Sequence, residues 1–275
     1  MDILKNQKTR LRIFMIAVAA SLFISANANA QSGNFYVGVS GGVQYTEMEH
    51  SKTVDNTNAP ADFLQRGKVY STSDSANKTG FSGGIVAGYR LNLDPSGGFY
   101  LGIEAEGQTH DGTARGTLPG DGVSEGRNQR GEAWPDQWRV KRKNSYGVTI
   151  LLGINPPSLA SFLGTGGGVY FLGGVRRLNA ELKIDYNGCP IGDRLCRPEE
   201  LESGADSLDE TLNAFTFGGG VEKMIGSKVG IRGEVRRTSY KKETRETFSG
   251  DSGIKIPVSL DGSETGLSIK AVVYF

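Results

Sequence analysis

Histidine and cysteine are nearly missing from this chain, two of each in 275 residues. A zinc site wants four nitrogen or sulfur ligands, and no histidine stands near Cys189 or Cys196. His50 and His110 lie in no His-x-Ser or Asp-x-His pattern of the kind that would give a general base its nucleophile and its orienting partner, and both are expected to be solvated rim residues. Charge of one sign is also lacking. The formal net charge is +1, the pI is about 7.7, and no basic block is interleaved with aromatics, so nothing points to nucleic acid. Long apolar runs are absent after residue 30, where no segment approaches the roughly 20 apolar residues of a spanning helix. With 22% charged residues and a mean hydropathy of -0.33, a helical membrane bundle is excluded. No cofactor is implied.

Residues 1–30 read as an address. Lys5, Lys8, Arg10 and Arg12 form a basic segment, residues 13–24 an apolar one, and Ala28-Asn29-Ala30 a small-x-small cleavage signal. Cleavage after Ala30 would leave residues 31–275 as one mature domain. The residue directly after that point is Gln31 and not a cysteine that could receive a lipid.

What the mature chain has in quantity is glycine, 40 residues over the whole sequence, and alternation. The last stretch reads TGLSIKAVVYF: Leu267, Ile269, Ala271, Val273 and Phe275 share one face and Ser268, Lys270, Val272 and Tyr274 the other, the period of two of a strand. Residues 34–45 repeat the pattern, with Phe35, Val37, Val39, Val43 and Tyr45 on the apolar face. Phe35 and Tyr45 are separated by a rise of roughly 24 Å for a tilted strand, close to the apolar band of a membrane barrel. Further strands are expected at 79–93, 99–106, 144–155, 169–183, 212–224 and 228–240. Asp94-Pro95-Ser96-Gly97-Gly98 and Gly226-Ser227 are tight turns, Pro156-Pro157 ends a strand, and 159–163 suggests a helical turn. The polar stretches 47–78 and 241–264, the Gly- and charge-rich stretch before 144, and an acidic stretch with Glu199, Glu200, Glu202, Asp206 and Asp209 are expected to be loops.

Eight strands with connections alternating between long and short predict an antiparallel transmembrane β-barrel. Its long loops are extracellular, its short turns periplasmic, and both termini of the barrel lie on the periplasmic side. The non-apolar faces carry Gly38, Gly42, Gly84, Gly88, Gly102, Gly147 and Gly153, which suits the crowded interior of a small barrel.

The segments NFYVGVSGGVQY, FSGGIVAGYRLN, GFYLGIEAEG, GGGVEKMIGSKVGIRGEVRRTSY and SIKAVVYF, in this order, resemble the small eight-stranded outer-membrane barrels that include the OmpA membrane domain, OmpX-type proteins and the opacity or porin-family surface proteins. The resemblance covers essentially all of 31–275. Unlike OmpA, the chain is expected to have no periplasmic domain after Phe275, and its loops are expected to be long for an OmpX-type protein. The resemblance implies a non-enzymatic surface or envelope protein, a monomer in contact with outer-membrane lipid and lipopolysaccharide, whose loops meet host or surface ligands. It also implies that Phe275 belongs to the signal read by the barrel assembly machinery. A narrow porin and a lipid-modifying rim enzyme are the alternatives.

Three groups of residues stand out on this scaffold. Glu104 and Glu106 on the third strand, Arg232, Glu234 and Arg236 on the seventh, and Lys270 on the last fall at one height inside the barrel. They read either as a charge-paired plug or as separate solvated lumen charges. Arg237, Lys241, Lys242 and Arg245 fall at the outer end of the seventh strand, either as phosphate contacts to lipopolysaccharide or as a solvated rim. Cys189 and Cys196 lie in an exported loop and are expected to pair as a disulfide that shapes that loop.

Overall fold

The computed structural model describes residues 33–63, 66–93, 98–118, 136–188, 198–200, 202–249 and 253–275. The leader 1–30 and both cysteines, Cys189 and Cys196, lie outside the described residues. Nine strand segments follow one another: β1 (Gly33–Asp55), β2 (Val69–Asn92), β3 (Phe99–His110), β4 (Thr113–Leu118), β5 (Asp136–Ile154), β6 (Gly168–Gly188), β7 (Glu202–Ile225), β8 (Val229–Ser249) and β9 (Lys255–Tyr274). A short helix, α1 (Ala160–Leu163), follows Pro156-Pro157. Prolines have no N–H for a ladder and stop β5 there.

Every neighbour pairing is antiparallel, and β3 pairs with β5 to close the ring β3-β2-β1-β9-β8-β7-β6-β5. Both β3 and β4 pair with β5, so they are one barrel strand interrupted at Asp111-Gly112. Gly112 has a φ of 105°, a conformation that side chains with a Cβ rarely adopt, and it carries the chain through the interruption. Counted this way the barrel has the expected eight strands.

Several stretches expected to be loops are strand. β1 runs on to Asp55, β2 starts at Val69, β8 continues to Ser249 and β9 starts at Lys255; β7 already contains Asp206 and Asp209. The reason is the solvent. In the lower part of the wall Val39, Ile85, Ile150, Phe171, Val235 and Ile269 face outward and are exposed, as a lipid belt requires. Above it the outward residues are polar and the inward ones apolar, so an alternation keyed to an apolar outer face loses its signal.

Among the described residues, the ring above the belt is not closed by ladders. The β7 to β8 pairing stops at Ala214↔Tyr240, and the β2 to β3 pairing at Ser82↔His110, while β4 pairs only with β5. The upper wall is therefore two four-stranded sheets, β2-β1-β9-β8 and β7-β6-β5-β4, facing one another as in a sandwich. Between them lies an apolar core that includes Met48, Leu118, Trp138, Leu178, Leu182, Leu212 and Leu260.

Candidate functional site in the barrel lumen

At belt height the lumen is filled by charge. Lys270 Nζ donates to Glu104 Oε1 at 2.5 Å and lies 3.2 Å from Glu234 Oε2 and 3.3 Å from Glu106 Oε2. Arg232 donates to Glu104 at 2.8 Å and to Glu222 at 2.9 Å, and Arg236 reaches Glu106, Glu234 and Glu104. The six lumen residues expected from the sequence thus meet in one network, and Lys270 and Glu104 are wholly buried. Strands β3, β8 and β9 bring them together because each carries a charged residue on its inward phase at the same register height. Carboxylates of this kind stay buried only when cations and hydrogen bonds surround them.

The network is larger than the sequence pattern suggested. Arg90 donates to Glu222 at 3.0 Å and to Asn155 at 3.0 Å, with its guanidinium 3.7 Å from the Tyr100 ring centre. Tyr36, Tyr170 and Tyr274 donate to Glu104, Glu234 and Glu222. Each of Tyr36, Tyr100 and Tyr170 stands opposite a glycine in the ladder, Gly88, Gly153 and Gly220, where a Cβ would collide with the ring. Arg90 and Glu222 occupy the inward phases of β2 and β7, which was the available signal; the distance between them in sequence hid the pairing.

Higher up, Arg142 donates to Glu264 at 2.7 Å and to Gln44 Oε1 at 3.1 Å. Since Gln44 Oε1 is an acceptor, His110 Nδ1, at 2.8 Å, is the protonated nitrogen, and Nε2 accepts from Ser145 Oγ at 2.7 Å. Ser145 in turn accepts from Arg176 Nε at 3.1 Å. This polarity resembles an activated serine, yet Ser145 is 2% exposed. His110 is expected on a solvated rim and is instead locked in the lumen. His50 departs from the same expectation: it lies within the upper core, its ring 5.6 Å from that of Trp138, with Nδ1 3.1 Å from Ser259 O and Nε2 unpartnered. Burial pushes its pKa below the ordinary histidine range.

The four cations expected at the rim do not form one cluster. Arg237 faces outward and donates to Thr265 and Ser263 at 2.8 and 3.0 Å. Lys241 and Lys242 lie exposed in a register shift of β8, and Arg245 is paired at 2.8 Å with the buried Glu210 of β7. Arg177 of β6, which the sequence did not single out, stands like Arg237 one outward step above the last lipid-facing residue of its strand. Phe275 donates its N–H to Phe35 O at 2.8 Å and exposes its ring at the lower edge. Beside it a cavity of about 1040 Å³ opens at the short-turn end, lined among others by Asn34, Arg90, Lys228 and Tyr274.

A closed ring of eight antiparallel strands, greasy outside and charged inside at one height, defines a small transmembrane β-barrel. The chain belongs to the outer membrane protein beta-barrel domain family, which matches residues 15–269. No curated protein matches the sequence. Among solved structures it is similar to Neisserial surface protein A, 13% identical over 89% of this chain and 99% of that one, with a TM-score of 0.35. It is also similar to the attachment invasion locus protein Ail of Yersinia pestis, solved with the heparin analogue sucrose octasulfate, at 11% identity over 83% and 98% with a TM-score of 0.24. The outer membrane protease OmpT of Escherichia coli is 9% identical over 91% and 100%, with a TM-score of 0.35.

Proposed function

We propose that the protein is a closed, non-enzymatic outer-membrane surface protein, in which the belt-height barrel is the anchor and the two-sheet head is the part presented to extracellular partners. One observation carries this reading: above the cavity at the short-turn end the interior is filled, by the Glu104, Arg232, Lys270 network at belt height and by the Trp138, Leu212, Leu260 core above it. An eight-stranded interior is only wide enough for side chains, so paired charges leave no aqueous path. His50 is buried in the upper core and His110 is held between Gln44 and the buried Ser145, which argues against rim catalysis. Planar-bilayer recording of the refolded protein tests the reading. Little or no steady conductance is expected, with opening after Arg232→Ala or Glu104→Ala. Large stable channels in the unaltered protein would favour the narrow porin instead.

Three further assignments go with it. Export uses the leader 1–30, removed after Ala30, and Cys189 and Cys196 pair in the external loop. Arg237, together with Arg177, stands where lipid phosphates lie, and a guanidinium meets such a group with two parallel hydrogen bonds. Phe275 serves assembly, and its deletion should lower the amount of protein reaching the membrane.

A further inference from the structure

The lumen charges do not balance. Arg90, Arg142 and Arg176 join Arg232, Arg236 and Lys270 as buried cations of the lumen. The buried carboxylates that meet them are Glu104, Glu106, Glu222, Glu234 and Glu264. Asp136 and Glu210 are buried as well, but in the head, where Lys52 and Arg245 pair with them. His110 is neutral in the tautomer that its neighbours impose. Among the described residues the lumen is therefore one carboxylate short, and a buried cation is costly without a counter-charge. Of the six cations, Arg90 is the one that lines the cavity of about 1040 Å³ at the short-turn end. Its carboxylate is shared: Glu222 Oε2 accepts from Arg90 at 3.0 Å, while Oε1 accepts from Arg232 Nε at 2.9 Å and from the Tyr274 hydroxyl at 2.6 Å.

The cavity has walls that the chain builds for it. After Pro156-Pro157 stop β5, the connector to Gly167 turns back on itself, Leu159 N–H donating to Pro156 O and Gly164 N–H to Ala160 O, both at 2.9 Å. Gly164 has a φ of 78°, and a Cβ there would stand 2.5 Å from Met224 O. Only glycine lets the connector lie this close against the end of β7. The β7 to β8 turn supplies more of the lining, held by the Tyr274 N–H donated to Lys228 O at 2.8 Å. The amides of Asn34, Asn92 and Asn155 and the hydroxyl of Thr165 alternate along the lining with Ala160 and Met224. No Asp or Glu side chain is among the described residues that line it, and Lys228 stands exposed in that lining. In volume the cavity is at the upper end of what small-molecule sites occupy.

We propose that this cavity binds a short peptide through its free terminal carboxylate, which the Arg90 guanidinium receives. This rests on the reading of the head as the presented part, which puts the short-turn end in the periplasm and makes the peptide a periplasmic one. A carboxylate carries the single negative charge that the lumen lacks, whereas a phosphate carries close to two. A guanidinium donates charge-assisted hydrogen bonds to such a group. Asparagine amides donate and accept, as the main chain of a peptide does, and alanine and methionine suit small apolar side chains beside it. Arg90 is already fixed, its guanidinium 3.7 Å from the Tyr100 ring centre and donating to Asn155 at 3.0 Å, so little order is lost when the carboxylate arrives.

The test uses the full refolded protein labelled with carbon-13 at its methionine methyls. Met224 lines the cavity and Met48 lies in the upper core, so one signal reports the site and the other controls for a general change. The probe is N-acetyl-alanyl-alanine, beside the same dipeptide with its terminus amidated. The acid should shift Met224 saturably and leave Met48 in place, and the amide should bind about tenfold or more weakly. Arg90→Gln should weaken the acid by a similar factor and leave the amide unaffected, and Arg90→Lys should recover part of the loss. If neither variant shifts on a gel when boiled, the acid and the amide on the unaltered protein decide. Equal binding of the two, no shift of Met224, a shift of Met48 alone, or full affinity in folded Arg90→Gln would overturn the proposal. Displacement of the acid by an equal concentration of inorganic phosphate would assign the cavity to anions at large, and so overturn it too. A conducting lumen would undo the closed-barrel reading, whereas failure of the acid to bind would leave that reading standing.

Discussion

The lower barrel and the head are built from the same strands with opposite chemistry. On β6, Val175 faces out and Arg176 in, and one step higher Arg177 faces out and Leu178 in. On β8 the same change runs from Val235 and Arg236 to Arg237 and Thr238. On these two strands no turn or break separates the halves. The period of two assigns each residue a side, and the solvent outside decides which type belongs there: lipid demands an apolar exterior and leaves polar groups to pair within, whereas water reverses both. The halves consequently depend on different forces, ion pairs and hydrogen bonds below and packed apolar surface above.

The sharpest way to break this contrast is to remove one lumen charge. Lys270→Met strands three carboxylates, Glu104, Glu106 and Glu234, and is expected to cost about 3–5 kcal/mol. The midpoint of denaturant unfolding in detergent reads this, and a near-neutral result would mean that the lumen charges are solvated. A cavity in the head comes next. Leu260→Ala, 1% exposed, should cost about 2–4 kcal/mol and raise hydrogen exchange in the head while the belt keeps its protection. Loss of both together would show that the halves unfold as one unit.

Acid should distinguish the halves as well. His50 faces Asp74, Lys52, Asp136 and Ser259, and its pKa in the fold lies below the unfolded value of about 6.5. The unfolded chain therefore takes up the proton first. The stability contributed by neutral His50 is present above that pH and is lost as pH falls through the folded value. Head exchange should quicken between neutral pH and about pH 5 in the wild type and less in His50→Phe. The smallest effect belongs to the outer wall of the head. Lys143, paired with Asp209 at 2.7 Å and with Glu181 at 3.4 Å, is well exposed, and Lys143→Ala should leave the midpoint of denaturant unfolding essentially unchanged. A large loss there would mean that the polar ladder, and not the apolar core, holds the head.

Where the exterior is lipid, the sequence was legible. The strands around Val39, Ile103, Ile150 and Leu267 follow from alternation alone, and the inward phase of β3, β8 and β9 identified Glu104, Arg232 and Lys270 before their distances were known. Where the exterior is water it was not. The segments around Met48, Leu260 and Asp209 carry a polar outer face and a sparse apolar inner one, which resembles a loop when read along a single strand. The inner face becomes a core only when Met48, Trp138, Leu212 and Leu260 are collected from separate strands.

By itself the sequence determined the alternation, the strand number and the side on which each belt residue lies, because a strand's period of two is a local property of its backbone. Only the tertiary structure decided the partners: Arg90 with Glu222, His110 with Ser145, and Glu210 with Arg245 across a seam where the ladder stops. These contacts join residues far apart in the chain, and which of them meet depends on barrel register and closure, quantities that no single strand encodes.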